Sequence, residues 1–129
     1  TDQEQQFFLK SNYVDQSILI WISICRTYKF IGDFASMIIS EKFKCYESTL
    51  EYNDFNYFFE KQAVLHDELN SLKDSTRKKL RQVIFRIMKD LNIISKNMDI
   101  TPLLPSIELK EISKSTQKDL KFFLPGVVI

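Results

Sequence analysis

Apolar residues recur at helical rather than strand spacing along almost the whole chain, which predicts an all-α fold. Residues 3–10 read as the end of an incoming helix. Asp15 is placed to cap a helix running to about Lys29. Its Ile18, Leu19, Ile20, Trp21, Ile22, Ile24 and Cys25 are apolar nearly all round, the mark of a helix buried centrally. A helix over 30–46 follows, with Ile31, Phe34, Ala35, Ile38, Ile39 and Phe43 on one stripe and Gly32 permitting close approach near the junction. Thr49 and Leu50 form a short extended link. Asn53 or a neighbour can cap a further helix, where Phe55, Phe58, Phe59, Gln62 and Leu65 lie at helical spacing, and a short helix is expected over 67–72.

The stretch 73–91, KDSTRKKLRQVIFRIMKDL, carries the clearest stripe: Leu80, Val83, Ile84, Ile87, Met88 and Leu91 fall on one face. Asp74 or Ser75 is placed to cap it. Opposite the stripe lie Lys78, Gln82, Arg86 and Lys89, with Lys79 close by and Arg77 and Arg81 on the flanks. Phe85 lies toward the polar side and is read as packing on a neighbouring helix, with base stacking the less favoured role. Residues 93–100 then read as two short apolar edges around a polar turn, a small β-hairpin with Lys96 and Asn97 at its tip. Pro102 and Pro105 break the chain before two weak helices over 106–113 and 116–123. With no repeat or low-complexity linker, residues 1–129 are expected to form a single helical domain.

Charge changes the picture more than composition does. Residues 1–70 hold six basic and eleven acidic side chains, whereas 71–91 hold seven basic and two acidic ones, so an overall charge of +1 conceals a basic helix on an acidic body. Segregation of this kind commonly faces a polyanion. Two glycines and three prolines are too few for a β-sandwich or barrel, while eleven Phe and five Tyr supply bulky packing material. Cys25 and Cys45 belong to no CxxC or Cys/His cluster, which favours a reducing cytoplasm. The longest apolar run, ILIWISIC over 18–25, is far short of the roughly 20 residues a membrane span needs. The chain opens on Thr1 inside helix-like sequence and is read as the C-terminal part of a longer protein.

Enzyme chemistry finds no support: there is no Gly-rich phosphate loop, nucleophile elbow or HExxH, and neither cysteine has a partner set. No cofactor, metal or small-molecule substrate is expected. His66, the lone histidine, reads as a helix-end residue. Acidic pairs such as Asp67/Glu68 and Glu108/Glu111 read as solvated charge.

Helix, short helix, basic helix and hairpin succeed one another in the order of a winged helix-turn-helix, here over about 51–101. In that arrangement Lys78, Lys79, Gln82, Arg86 and Lys89 form the front, with Arg77 and Arg81 at its flanks. Ser75 and Thr76 add phosphate contacts at the helix start, and Lys96 with Asn97 touch the flanking backbone. Few of these can read bases, so binding of double-stranded DNA with weak sequence preference is expected. Two alternatives stay open: an ordinary solvated surface, and a protein adaptor docking the same face on an acidic partner. RNA binding is weaker, because only Phe85 and Tyr57 offer rings for stacking.

Three blocks carry a family resemblance. Ile24, Cys25, Arg26, Tyr28, Phe30, Ile31, Asp33 and Phe34 match the first. Asp54, Phe55, Phe58, Phe59, Lys61, His66, Glu68 and Leu69 match the second, and Ser75, Thr76, Arg77, Lys79, Leu80, Arg81, Gln82, Val83, Phe85 and Arg86 the third. In this order they resemble the BrxA family of the bacteriophage exclusion (BREX) defence systems, over about residues 17–125. The resemblance implies an all-helical bacterial protein without enzymatic activity. Such a protein binds double-stranded DNA, alone or beside other BREX subunits, in a system that methylates host DNA and blocks phage replication. It also implies an N-terminal helical region beyond this chain, and a core network in which Arg26, Asp33, His66 and Glu68 pair or cap.

Overall fold

The structure, a computed structural model, describes residues 2–10, 12–111 and 114–124. Nearly all of its regular structure is helical: α1 (Asp2–Lys10), α2 (Tyr13–Thr27), α3 (Lys29–Phe34), a π-helical turn (Ala35–Ile39), α4 (Ser40–Lys44), α5 (Tyr52–Leu65), α6 (Asp67–Asn70), α7 (Asp74–Asp90), α8 (Ile107–Lys110) and α9 (Lys114–Phe123). Among the described residues no helix is long and apolar enough to cross a membrane.

Helix α2 runs through the middle because its apolar residues cover most of its circumference. Ile18, Leu19, Trp21, Ile22 and Cys25 are buried, while the Trp21 indole N–H donates to the Phe123 carbonyl at 3.2 Å and so ties α2 to the end of α9. Ile20 departs from the expectation. It is 39% exposed and lines an open groove with Phe8 and Leu9 of α1. The helix is capped by Asn12 and not by Asp15: the Asn12 side chain accepts from the Asp15 backbone N–H at 2.8 Å. The buried Asp15 carboxylate instead accepts from the Ser106 N–H at 3.0 Å and from its hydroxyl at 2.5 Å. Ser106 in turn caps α8 through Leu109 N–H, so Asp15 fixes an element 91 residues away.

The expected helix over 30–46 forms as α3, the π turn and α4 in succession. At the π turn the Ser40 N–H reaches back five residues to the Ala35 carbonyl, and the extra residue turns Met37 outward while Phe34, Ala35 and Ile39 stay buried. Gly32 does permit the close approach expected of it: a β-carbon there would lie 2.7 Å from the Cys25 carbonyl oxygen.

Phenylalanines join the two halves. Phe30 and Phe34 meet Phe55 and Phe58 with ring centroids 5.2–5.9 Å apart, and Phe55 meets Phe85 of α7 at 6.4 Å. The start of α5 is closed by Asp54, whose carboxylate accepts from the Glu51 N–H at 2.7 Å and from Lys42 Nζ at 2.6 Å.

The expected core network differs in membership. Arg26 forms a fork on Glu4 at 2.8 and 3.1 Å and reaches Asp119 at 2.5 Å, joining α1, α2 and α9. Glu4's hydrogen bonds push the Arg26 pKa up. His66 and Glu68 are exposed; His66 is a helix-end residue, standing between α5 and α6.

Candidate nucleic-acid interface

Helix α7 is positioned by both of its ends. Lys73, with no side-chain cap, holds the N-cap position in place of Asp74 or Ser75. Asp74 opens the first turn, where a negative charge suits the helix dipole. At the other end Asn92 adopts a left-handed φ of 61°, Ile93 N–H bonds the Met88 carbonyl at 2.8 Å and Asn92 N–H bonds that of Lys89 at 3.1 Å. This double closure stops the helix and reverses the chain.

The reversed chain carries the turn that holds Lys96 and Asn97. Among the described residues no strand forms; the segment makes isolated antiparallel bridges, Ile94 to Ile100 and Thr49 to Asp99. Backbone bonds extend them on both sides: Thr101 N–H to Ile93, Leu50 N–H to Met98, and Ile100 N–H to Ser48. The Ser95 hydroxyl accepts from the Asn97 and Asp99 N–H groups, both at 3.2 Å. Ile93, Ile94 and Ile100 are buried beneath this turn, which leaves Lys96 and Asn97 exposed at its tip.

The buried stripe of α7 is rotated from the one its spacing suggests. Phe85 is 1% exposed and packs with Tyr52 and Phe55, whereas Val83, expected in the core, is 47% exposed. The larger aromatic surface takes the core position, since burial stabilises in proportion to the apolar area removed from water. Rotation also carries the flanking arginines inward. The Arg77 guanidinium lies over the Phe59 ring at 4.3 Å, while that of Arg81 lies over Tyr52 at 4.7 Å and donates to Asn56 Oδ1 at 3.2 Å. Both are spent on docking α5 against α7.

Ser75, Thr76, Lys78, Lys79, Gln82 and Arg86 remain exposed on the outer face, and Lys89 is half-buried at its edge. A shallow hollow opens among Ser75, Thr76, Lys79, Leu80 and Val83, a feature that the periodicity concealed by assigning Val83 to the core; Leu80, half-buried, does pack against it. On the acidic body Arg26 pairs with Glu4 and Asp119, Lys42 with Asp54 and Glu47, and Lys44 with Glu41. Among the described residues Lys78, Lys79, Arg86, Lys89 and Lys96 join no such pair. Phe85, one of the two rings considered for stacking on RNA, is inside the core. Tyr57 is exposed, with Lys61 Nζ 4.6 Å from its ring centre.

A family model described as BrxA matches residues 1–116. A Bacillus cereus protein named BREX protein BrxA is 34% identical over 70 residues, which cover 54% of this chain and 35% of that protein. The chain thus aligns with about a third of the length of that relative.

Proposed function

The chain belongs to the BrxA family, and we propose that it is a non-enzymatic component of a BREX phage-defence system that grips double-stranded DNA with the outer face of α7. One observation carries this. Arg26, Lys42 and Lys44 of the acidic body are tied to carboxylates, while Lys78, Lys79, Arg86 and Lys89 of α7 and Lys96 at the turn beyond it pair with none among the described residues. Phosphates are the fitting partner, because each neutralised phosphate releases counterions and each Lys or Arg can serve one.

The order of elements supports a winged helix-turn-helix. Helices α5, α6 and α7 supply the helical part. The bridged segments around Thr49, Ile94 and Asp99–Ile100 stand where a three-stranded wing would, with the 95–98 turn as its tip. In this arrangement α7 enters the major groove, Lys78, Lys79, Arg86 and Lys89 neutralise phosphates, and Lys96 with Asn97 meet the flanking backbone. Ser75 and Thr76 reach a phosphate at the helix start, and Gln82 faces base edges. Arg77 and Arg81 act from behind by holding α7 on α5.

A Lys78→Glu/Arg86→Glu variant tests the assignment. Both positions are exposed, so the fold is expected to persist, and affinity for a labelled 20-base-pair duplex is expected to drop at least tenfold in fluorescence anisotropy. Unchanged affinity would remove α7 as the DNA face. Were the parent to ignore naked DNA and bind another defence subunit through this face, the adaptor role would replace it.

A further inference from the structure

The hollow on α7 has a chemistry that phosphate binding does not use. Val83 is 47% exposed at the margin of the basic face, and Leu80 forms a half-buried floor beside it. At 100° per residue Lys79 and Arg86 stand about 40° and about 60° from Val83 on the same side of it, so Val83 borders the basic face where that face meets Leu80. A β-branched residue is a poorer helix former than the Lys, Arg or Gln around it, so Val83 adds apolar surface to this hollow without adding helix stability. Its neighbours bring cations and hydroxyls, so the complementary surface is anionic with a small apolar group set into it.

The major groove offers one such group, the C5-methyl of thymine, beside phosphates on either side. Lys79 to Arg86 covers about 10.5 Å of helix axis, close to the length of three base-pair steps. Gln82, next along the chain, has the amide that can pair with the N6 and N7 edge of an adenine. Building on the DNA-binding role proposed above, we infer that Leu80 and Val83 form an apolar reader of thymine C5-methyl groups. DNA rich in A·T pairs is then preferred at the same phosphate contacts.

The test is anisotropy with two 20-base-pair duplexes of alternating A and T, identical except that one carries deoxyuridine for every thymine. The protein and a Val83→Ser variant are titrated against both, with far-UV circular dichroism to check the variant's fold. The protein is expected to bind the thymine duplex about three- to fivefold more tightly, as burial of one methyl predicts, and the variant to bind both alike. Equal binding of the two duplexes by the protein, with salt-sensitive affinity retained, overturns the methyl reader and leaves the DNA face standing. A variant that keeps the thymine preference overturns the assignment to Val83. Binding to neither duplex overturns both the reader and the DNA face.

Discussion

Arg26 joins three elements through one side chain. Its fork on the nearly buried Glu4 and its bond to Asp119 hold α1 and α9 against α2, with the Arg26 side chain 29% exposed. Removing it leaves the Glu4 carboxylate without that fork in a largely dry site. Arg26→Ala is therefore expected to cost about 2 kcal/mol in urea unfolding. A cost below about 0.5 kcal/mol would show the pair to be an ordinary surface contact. The two thiols differ in the same way. Cys25 is buried, and desolvation with the nearby Asp119 charge pushes its pKa well above the thiol range, whereas Cys45 is exposed. A maleimide is expected to label one thiol per folded chain quickly, at Cys45, and the second only on unfolding, which mass spectrometry of the digested protein can check. Asp15 shows why single residues are hard to read from sequence. Its position suggests a cap, and its actual partner, Ser106, lies 91 residues on, at a contact no local pattern encodes.

At the scale of elements, α7 was legible in its length and charge but not in its rotation. The 3.6-residue period locates an apolar stripe, yet Val83 and Phe85 compete for its edge, and only the rings of Tyr52 and Phe55 on α5 decide for Phe85. The consequence is measurable. Phe85→Ala is expected to cost about 3–5 kcal/mol, as loss of a buried ring does, while Val83→Ser stays within about 0.5 kcal/mol. Reversed costs would place α7 at the rotation its spacing suggests. Gly32 was legible as a site of close approach because a glycine inside an apolar helix stands out. With the Cys25 carbonyl oxygen 2.7 Å from where a β-carbon would sit, Gly32→Ala is expected to destabilise by about 1–3 kcal/mol, despite alanine's better helix propensity. The π turn was not legible, since one added residue leaves the flanking stripe almost in register. Nor was the pairing of 48–50 with 98–101, which spans α5 and α7 and draws on too few residues to show alternation.

Across the whole molecule, the proposed function rests on which charges the fold leaves without a carboxylate partner. Arg26, Lys42 and Lys44 are consumed within the acidic body, and Arg77 and Arg81, counted with the basic face in the sequence, are consumed in packing α7 onto α5. Lys78, Lys79, Arg86 and Lys96 are exposed on α7 and the turn after it, and Lys89 is half-buried at the edge of that face. The charge asymmetry was thus readable from residue order, but the separation of available cations from spent ones needed the packing. In the proposed function these five residues meet DNA phosphates. The direct test is the salt dependence of binding to two 20-base-pair duplexes of unrelated sequence. Five phosphate contacts predict that log affinity falls against log salt with a slope of about −4 to −5 for both duplexes. Absence of binding at about 50 mM salt, or a slope near zero, would contradict it.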